Sequence, residues 1–295
     1  MKPPRILITG ATGQVGRRVV EILKVDSSLK VIAAVRSAAK GKDLGVPWVE
    51  LDLDRIETFG RALEGIDRVF LMTGYTVEMM RQSKVFLDEA AKAHVRHIVH
   101  LGACGDDEAT VAHWVWHQLI ERYIEWRGFS FTHLRPEQFM QNLLGYSGRP
   151  TVVNGVIEQY FGQARLSWVD CEDVAEAAAV SLRDAEAHNG QTYRMGYDAQ
   201  SLNDVACILN KVIGQPFRYD ARPPEEFLAK VLAAGADPAY MNCVYQHYFA
   251  YAQGKIPHPD QVFDNFEGLT GRKPVTWEAF GRKHADTFRA GFARP

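Results

Sequence analysis

Short apolar runs alternate with longer amphipathic segments through the first half of the chain. The apolar runs are rich in β-branched residues and predict strands, whereas the longer segments repeat their apolar residues at helical spacing. Strands that alternate with helices imply parallel pairing, because a parallel connection needs a crossover. The predicted strands cover residues 6–8, 31–35, 48–51, 68–72, 97–101 and 129–134, and the predicted helices cover 14–25, 57–63, 77–93 and 111–126.

After residue 136 this alternation weakens. An alanine-rich helix is predicted over 172–182, and the chain from Pro216 onward is aromatic, helical in pattern and interrupted by prolines. We therefore predict an α/β fold in which residues 1–150 form a Rossmann-type, doubly wound parallel sheet. Residues 151–295 are predicted to form a smaller, mostly helical portion that interleaves with the sheet.

Composition narrows the class of protein. Of 295 residues, 46% are hydrophobic and 24% charged, which excludes a disordered chain. The net charge of −2, without a basic run, argues against a nucleic-acid partner. Four widely separated cysteines indicate reduced thiols rather than a disulfide framework or a zinc site. No apolar stretch approaches the ~20 residues of a membrane span, and no signal-peptide pattern is seen, so we expect a cytoplasmic protein without a membrane partner.

A glycine-rich turn links the first predicted strand to the first predicted helix. Gly10 allows a tight turn, Gly13 lets the backbone approach a pyrophosphate, and Gly16 lets the helix pack on the strand. The helix N-terminus adds free N–H groups and the positive end of its dipole. The alternative is a tight turn without a ligand. In this context the turn predicts a dinucleotide-binding domain over residues 1–150, whose site also includes Thr12, Gln14 and Val15.

The end of the second predicted strand indicates which dinucleotide is bound. An acidic residue about 20 positions after the glycine motif binds the ribose 2′-hydroxyl of NAD, whereas an arginine accommodates the 2′-phosphate of NADP. Arg36 occupies this position, and a guanidinium binds phosphate bidentately. The alternative is a solvated arginine at a strand end. The position favours NADP(H) over NAD(H) as the cofactor.

Further stretches extend the pattern beyond the glycine turn and Arg36. They are Asp52-Leu53, Val95-Arg96-His97-Ile98-Val99, Leu134-Arg135-Pro136-x-x-Phe139-Met140-Gln141-Asn142, Val169-Asp170-x-x-Asp173-Val174-Ala175 and Leu269-Thr270-Gly271-Arg272-Lys273-Pro274. In these residues the chain resembles the NmrA-like branch of the atypical short-chain dehydrogenase/reductases, over nearly its whole length. Members include NAD(P)H-dependent reductases of quinones and aromatic dyes, ergot-alkaloid reductases, and regulators that bind the nucleotide without turnover.

The resemblance implies roles for residues near the ends of the predicted strands. Asp52 and Leu53 would border the adenine, and Thr73 and Gly74 would line the cofactor after the fourth strand. Gly102 would lie beside the nicotinamide end, with Pro136 and Phe139 near the carboxamide. Open α/β sheets bind ligands at the carboxyl ends of their strands, which agrees with this placement.

The catalytic pair of ordinary short-chain reductases is missing. They carry Tyr-x-x-x-Lys on the helix after the fifth strand, where this chain has His113 and His117 four residues apart. Histidine suits general acid catalysis at neutral pH, so both are candidate catalytic residues, although each could be a structural helix histidine. The residues between them supply no glutamate base, and no third ligand is evident, so we predict no metal.

The missing pair also suits an acceptor that is already electrophilic, because the cofactor then supplies the chemistry and the protein orients the reactants. Tyr75, after the fourth strand, would cover the nicotinamide or donate its hydroxyl. Most aromatic residues belong to cores, but the second half is rich in them, which favours a flat apolar substrate. The candidate substrate-binding residues are Tyr75, His117, Phe139, Tyr160 and Trp168.

Two functions follow from these observations. The first is an NADP(H)-dependent oxidoreductase that transfers hydride to an aromatic, quinone, imine or carbonyl small molecule, as a monomer or homodimer. The alternative is a redox sensor that binds NAD(P) without catalysis and regulates a protein partner. No loop or tail in the sequence is obviously dedicated to such a partner.

Overall fold

The architecture is built on a sheet of seven parallel strands. The computed structural model describes residues 2–145 and 151–292. Its strands are β1 (Arg5–Ile8), β2 (Lys30–Val35), β3 (Trp48–Glu50), β4 (Arg68–Met72), β5 (His97–Leu101), β6 (Ser130–Pro136), β7 (Gln138–Phe139), β8 (Val152–Val153), β9 (Val156–Gln159), β10 (Arg165–Val169), β11 (Gln191–Met195), β12 (Asp198–Ser201) and β13 (Arg218–Ala221).

Helices cover this sheet and make up just under half of the described second half. They are α1 (Gln14–Leu23), α2 (Ala38–Gly41), α3 (Phe59–Leu63), α4 (Met79–Lys92), α5 (Ala112–Trp126), α6 (Cys171–Arg183), α7 (Leu202–Ile213), α8 (Pro224–Ala233), α9 (Pro238–Ala252), α10 (Phe266–Thr270), α11 (Trp277–Lys283) and α12 (Ala285–Ala290). Among the described residues, no helix is both long and apolar enough to cross a bilayer.

The strand order of the central sheet is β11-β6-β5-β4-β1-β2-β3, with every neighbouring pair parallel. The chain moves outward from β1 to β3 and then returns to β4 on the other side of β1. Such a reversal opens a crevice between β1 and β4 at the carboxyl edge of the sheet. The predicted α/β fold with a doubly wound parallel sheet is confirmed.

Each face of the sheet has its own apolar core. On one face α1 and α6 pack against each other and against β1, β2 and β5. On the other face lie α3, α4 and α5, where the rings of Phe59 and Phe86 meet edge to face at 5.6 Å. A third core, in the second half, is centred on Trp168 and Trp277.

The second half of the chain contributes directly to the first. Strand β11 pairs with β6, and α6 packs on α1, so residues beyond 151 complete both the sheet and one of its helical layers. The predicted boundary near residue 150 falls at 146–150, outside the described residues. The separation into two portions therefore stays a prediction.

Element boundaries differ from the sequence pattern where polar residues end an apolar run. Strands β4 and β5 have the predicted bounds, whereas α1 ends at Leu23 because Val25 is already 78% exposed. Strand β11 was not predicted, since Gln191–Met195 is mostly polar and lies at the sheet edge. Helix α7 was also not predicted, although Ser201 and Asp204 form a capping box at its start.

Histidines are an unusual component of the core. His97, His100 and His133 lie on β5 and β6 with at most 1% exposure. Burial lowers the pKa of His97 to about 4 and that of His133 to about 3, because the charged imidazolium loses its hydration. Nearby cations add to the effect, Arg68 on His97 and Arg135 on His133.

We expect acid to destabilise the fold well before its carboxylates are neutralised. A histidine held neutral in the folded state binds fewer protons than in the unfolded chain, so its stabilisation is complete above about pH 6.5 and declines by about 1.4 kcal/mol per pH unit below it. The raised pKa values of Glu137, about 7, and Asp173, about 6, act in the opposite direction. The histidines outnumber them: His97, His100, His113, His117, His133 and His247.

Urea unfolding at pH 7.5, 6.5 and 5.5 measures this dependence. The free energy of unfolding should fall from pH 6.5 to 5.5, and His97→Gln should reduce the slope. His258→Asn is the matched control, because His258 is exposed and its backbone φ of 47° suits asparagine. A free energy of unfolding that is constant or rises on acidification contradicts the prediction.

Candidate functional site

The candidate site lies in the crevice at the carboxyl edge of the sheet, and the glycine turn after β1 forms its floor. The hydroxyl of Thr9 accepts a hydrogen bond from Met72 N at 2.7 Å and donates to Phe70 O at 3.0 Å. These bonds join the ends of β1 and β4. The strand end before the turn is therefore held in place by the neighbouring strand.

The three glycines have different structural requirements. Gly10 has a φ of +59°, and a β-carbon there would collide with the methyl group of Met72. A β-carbon on Gly16 would collide with the carbonyl oxygen of Gly10, so glycine lets α1 begin directly against the turn. A β-carbon on Gly13 would lie 3.3 Å from that oxygen, so the fold alone does not demand glycine there.

The first turn of α1 offers unused hydrogen-bond donors. No side chain caps the helix at Gly13, and its first turn carries no acidic residue. Among the described residues, no acceptor binds the backbone N–H groups of Gln14, Val15 and Gly16. Thr12 and Gln14 are exposed beside them. Free N–H groups and a helix dipole fit an anionic pyrophosphate.

Arg36 directly follows β2 at the same edge of the sheet and is exposed. Within residues 2–145 and 151–292 it has no ion pair or hydrogen bond through its guanidinium. Lys40 is also exposed on the adjoining short helix α2. The site therefore has a cationic group that is not neutralised by the protein, near where a ribose phosphate would project from a dinucleotide.

The ends of β3 and β4 form the neighbouring wall. Asp52 N donates to Thr58 Oγ1 at 3.1 Å, and an Asp52 carboxylate oxygen accepts from Asp54 N at 3.1 Å. Asp52, Leu53 and Thr73 are half-buried, and Gly74 is exposed. The structure thus places these four residues along the same edge as the glycine turn.

Gly102 lies beyond β5, with Pro136 at the end of β6 and Phe139 in β7. Gly102 N donates to Leu134 O at 2.8 Å. A β-carbon on Gly102 would lie 3.1 Å from a carboxylate oxygen of Glu121 and 3.5 Å from Cε1 of His100. The predicted nicotinamide end is therefore next to polar groups buried under α5.

A polar stripe on α5 faces the sheet, formed by His113, His117, Glu121 and Glu125 at spacings of four residues. Three of its members bind side chains of β5 and β6. His117 Nδ1 lies 3.3 Å from His100 Nε2, Glu121 binds Arg135 with a closest approach of 2.6 Å, and Glu125 lies 3.3 Å from His133 Nε2.

Burial keeps the two predicted catalytic histidines neutral at pH 7. It lowers the pKa of His113 to about 4 and that of His117 well below 6.5, with further lowering at His117 from His100 and His113. A neutral imidazole can donate or accept a hydrogen bond, but it is not the strong acid that an imidazolium is. The expectation of a general acid at neutral pH therefore changes to that of a hydrogen-bonding group.

One group of potential metal ligands lies under α5, namely His100, Glu121 and His133, whose ligand atoms are within 4.8 Å of one another. Both oxygens of Glu121 already bind the guanidinium of Arg135. A cation here would have to displace that guanidinium or sit beside it. The arrangement favours the ion pair over a metal.

The nearest counterpart of a Tyr-x-x-x-Lys pair has a structural role. Tyr123 and Arg127 both bind Asp88 of α4, the tyrosine hydroxyl at 2.6 Å and the guanidinium at 3.3 Å. These contacts lie between α4 and α5, away from the carboxyl edge of the sheet. They join two helices and supply no proton donor to the crevice.

Aromatic residues of α9 meet the loop after β4 and the start of α5. The ring of Tyr240 lies 5.8 Å from Tyr75 and 6.4 Å from His113. The ring of His247 lies 5.4 Å from both His113 and Trp114. Tyr75 is 71% exposed, so it is the open edge of this aromatic group.

The other two predicted substrate residues are interior. Trp168 is 1% exposed, packs on Trp277 at 5.2 Å, and donates its indole N–H to Gln200 O. Trp168 is thus a buried side chain, and its role in substrate binding stays a prediction. Tyr160 is 7% exposed and packs between Phe227 and Tyr248 of α8 and α9, at 5.4 Å from each.

Several polar groups near the crevice were missed in the sequence. They include His100 and Arg135 on the strands and Tyr240 and His247 on α9. Glu121 had a usable signal, since it follows His117 at helical spacing. The others depend on contacts between residues far apart in the sequence, which no local pattern reveals.

Comparisons with known proteins agree with this geometry. A family model described as the NmrA-like family matches residues 2–279. The NAD(P)H azoreductase of Xenophilus azovorans is 30% identical over 292 residues, which cover 97% of this chain and 99% of the azoreductase. Quinone oxidoreductase 2 of Escherichia coli is 27% identical over 236 residues, which cover 78% and 82% of the two chains.

Solved structures share the fold. The triphenylmethane reductase of Citrobacter sp., complexed with NADP(H), has a TM-score of 0.79 at 23% identity and covers 95% of this chain and 99% of its own. The NADPH-dependent quinone oxidoreductase of Escherichia coli, complexed with NADPH, has a TM-score of 0.78 at 24% identity and covers 94% and 99%. The named relatives confirm the prediction of an NAD(P)H-dependent reductase as a class of enzyme. The chain belongs to the NmrA-like family.

Proposed function

We propose that this protein is an NADPH-dependent reductase that transfers hydride to a flat, electrophilic acceptor such as a quinone, an azo dye or another conjugated aromatic, imine or carbonyl compound. The observation that carries the proposal is that α5 has histidines instead of a tyrosine–lysine pair, with His117 3.3 Å from His100, the residue that lies next to Gly102. Such a site suits an acceptor that takes hydride without prior protonation by a strong acid.

The chain's own residues would bind and orient the reactants. The free N–H groups of Gln14, Val15 and Gly16 would hold the pyrophosphate, and Arg36 the 2′-phosphate. Bound NADPH would supply the hydride from its nicotinamide ring. Tyr75, His113 and His117 would line the acceptor side, with Phe139 and Pro136 on the carboxamide side. The second half of the chain would provide the substrate-binding portion through α9.

The preference for NADP(H) over NAD(H) rests on Arg36. Its guanidinium has no partner among the described residues, and an exposed lysine lies nearby on α2. A phosphate would give it a charge-assisted, bidentate contact that a 2′-hydroxyl cannot offer. Solved neighbours are complexed with NADPH or NADP(H), and NmrA has been solved with NADP and with NAD, so the preference proposed for this chain depends on Arg36.

The acceptor class rests on the aromatic group formed by Tyr75, Tyr240 and His113, whose tilted rings offer apolar faces to a flat conjugated molecule. Relatives named azoreductase, quinone oxidoreductase and triphenylmethane reductase support an aromatic or quinone acceptor.

Replacing Arg36 with alanine should weaken NADPH binding and leave NADH binding nearly unchanged. Loss of a charge-assisted phosphate contact costs about 1.5–3 kcal/mol, so Kd for NADPH should rise by roughly 10- to 100-fold. Titration of each nucleotide by calorimetry measures this change. Arg218→Ala, an exposed arginine on β13, is the control. An unchanged ratio of NADPH to NADH affinity would refute the phosphate assignment.

A side chain at Gly13 should abolish cofactor binding without unfolding the protein. The residue has φ −82° and ψ 175°, which any residue adopts, and the space on the protein side is tight but not closed. Gly13→Val would instead occupy the path of the pyrophosphate. The thermal midpoint should stay within a few degrees of that of Gly268→Val, an exposed control, while NADPH affinity is lost. Normal binding by Gly13→Val means that the turn does not cradle phosphate.

Oxidation of NADPH, followed at 340 nm with a panel of quinones, azo dyes and triphenylmethane dyes, tests the activity itself. We expect turnover with at least one flat acceptor and little with small aliphatic ketones, because the latter need an acid to accept hydride. Tight nucleotide binding without turnover on any acceptor would replace the reductase with the redox-sensor alternative.

A further inference from the structure

The contact between His117 and His100 joins α5 to the centre of the sheet. His117 Nδ1 lies 3.3 Å from His100 Nε2, and the two rings are 5.3 Å apart. His100 is fully buried, whereas His117 is only partly buried. Since both imidazoles are neutral, one ring nitrogen of this contact must carry the hydrogen and the other must accept it. The direction of the bond decides which tautomer His117 adopts.

The groups around the pair come from three elements. On α5 they are His113, Glu121 and Glu125, and on β6 they are His133 and Arg135. The loop after β5 adds Asp107, which binds Arg135 at 2.9 Å. Glu121 and Arg135 neutralise each other, and the Glu125 carboxylate accepts from Nε2 of His133. Within residues 2–145 and 151–292, no charged group binds the second nitrogen of His100.

That second nitrogen, Nδ1 of His100, is buried and has no hydrogen-bond partner among the described residues. A buried N–H without an acceptor is rarer in proteins than an acceptor without a donor. The hydrogen of neutral His100 should therefore lie on Nε2, where it has an acceptor in His117 Nδ1. His117 then carries its own hydrogen on Nε2. Because the two nitrogens of an imidazole ring point in different directions, this N–H points away from His100.

We propose that His100 is a positioning residue, whose Nε2–H donates to Nδ1 of His117 and thereby fixes His117 in the tautomer with hydrogen on Nε2. The tautomer does not depend on the proposed function. The consequence for catalysis does rest on it: His117 would present an N–H, rather than a lone pair, to an acceptor held beside Gly102.

An N–H directed at the acceptor matters because negative charge develops there. Bound NADPH would supply a hydride and become NADP⁺; the acceptor would gain the bond to hydrogen and the electron pair, so that negative charge develops on its oxygen or nitrogen. A neutral imidazole N–H stabilises that charge by a hydrogen bond without giving up its proton. The proton that completes the product then comes from solvent water. His117 ends the cycle in the tautomer in which it began.

Nitrogen NMR reads the tautomers directly. In protein labelled with ¹⁵N-histidine, long-range ¹H–¹⁵N correlation spectra at pH 7.5 distinguish protonated from unprotonated ring nitrogens. We expect His100 and His117 both to carry hydrogen on Nε2, with assignments made from His100→Leu and His117→Gln. Hydrogen on Nδ1 of His117 in the wild-type protein overturns the proposal, whether or not an acceptor is turned over.

Variants of His100 test the catalytic consequence. His100→Leu removes the donor, and we expect mixed tautomers at His117 and a fall in kcat of about tenfold, with the Kd for NADPH unchanged. His100→Gln places an amide N–H near the position of Nε2 and should restore most of kcat. His97→Leu is the matched control, a buried histidine on the same strand that contacts Ser130 instead of α5.

The outcomes separate this inference from the proposed function. If no acceptor is turned over but the tautomers are as expected, the reductase activity fails and the positioning role stands. If turnover occurs and His100→Leu retains wild-type kcat and a single His117 tautomer, the positioning role fails and the activity stands. If His100→Leu does not fold, the wild-type spectrum and His100→Gln still decide the question.

Discussion

The buried ion pair between Glu121 and Arg135 fixes the position of α5, and the candidate site depends on that position. The pair is 1% and 7% exposed at its side chains, and the guanidinium also binds Asp107 in the loop after β5. Removing one partner of such a pair leaves an uncompensated charge in the interior, at a typical cost of about 3–5 kcal/mol. The interaction thus holds strand, helix and loop in one arrangement, with His117 above His100 and the aromatic residues of α9 against the start of α5.

Three motifs that are far apart in the sequence are joined by the polar contacts of Asp170 and Asp173. Asp170 caps α6 and accepts from the side chain of Gln141 at 2.9 Å. Asp173, fully buried, accepts from Val275 N at 2.8 Å and pairs with Arg272. The segments around residues 141, 170 and 272 are therefore one structural unit, which attaches the end of the chain to the layer of α1 and α6.

The parts of the molecule that could be predicted from the sequence are those with a local cause. The parallel strands, the glycine turn and Arg36 could be predicted from short sequence patterns, because the residues of each pattern are close together in the chain. The polar stripe of α5 is different, because the roles of its residues depend on contacts with distant strands. Glu121 binds Arg135, and His117 contacts His100. Strand β11 was not predicted for a related reason. It is an edge strand with polar residues, and its pairing with β6 specifies it. The burial of Trp168 could not be predicted either, because an aromatic residue alone does not indicate whether it lies in a core or lines a site.

The contact between Met72 and Gly10 limits how the site can change during evolution. The methionine methyl group fills the space that a β-carbon at Gly10 would need, at the junction of β1 and β4. A smaller residue at position 72 would leave a void there, but Gly10 could not fill it, since its φ of +59° disfavours any side chain. The constraint therefore acts in one direction only. A smaller side chain at position 72 would therefore remove the collision with Met72, but not the backbone strain that a side chain at position 10 would meet.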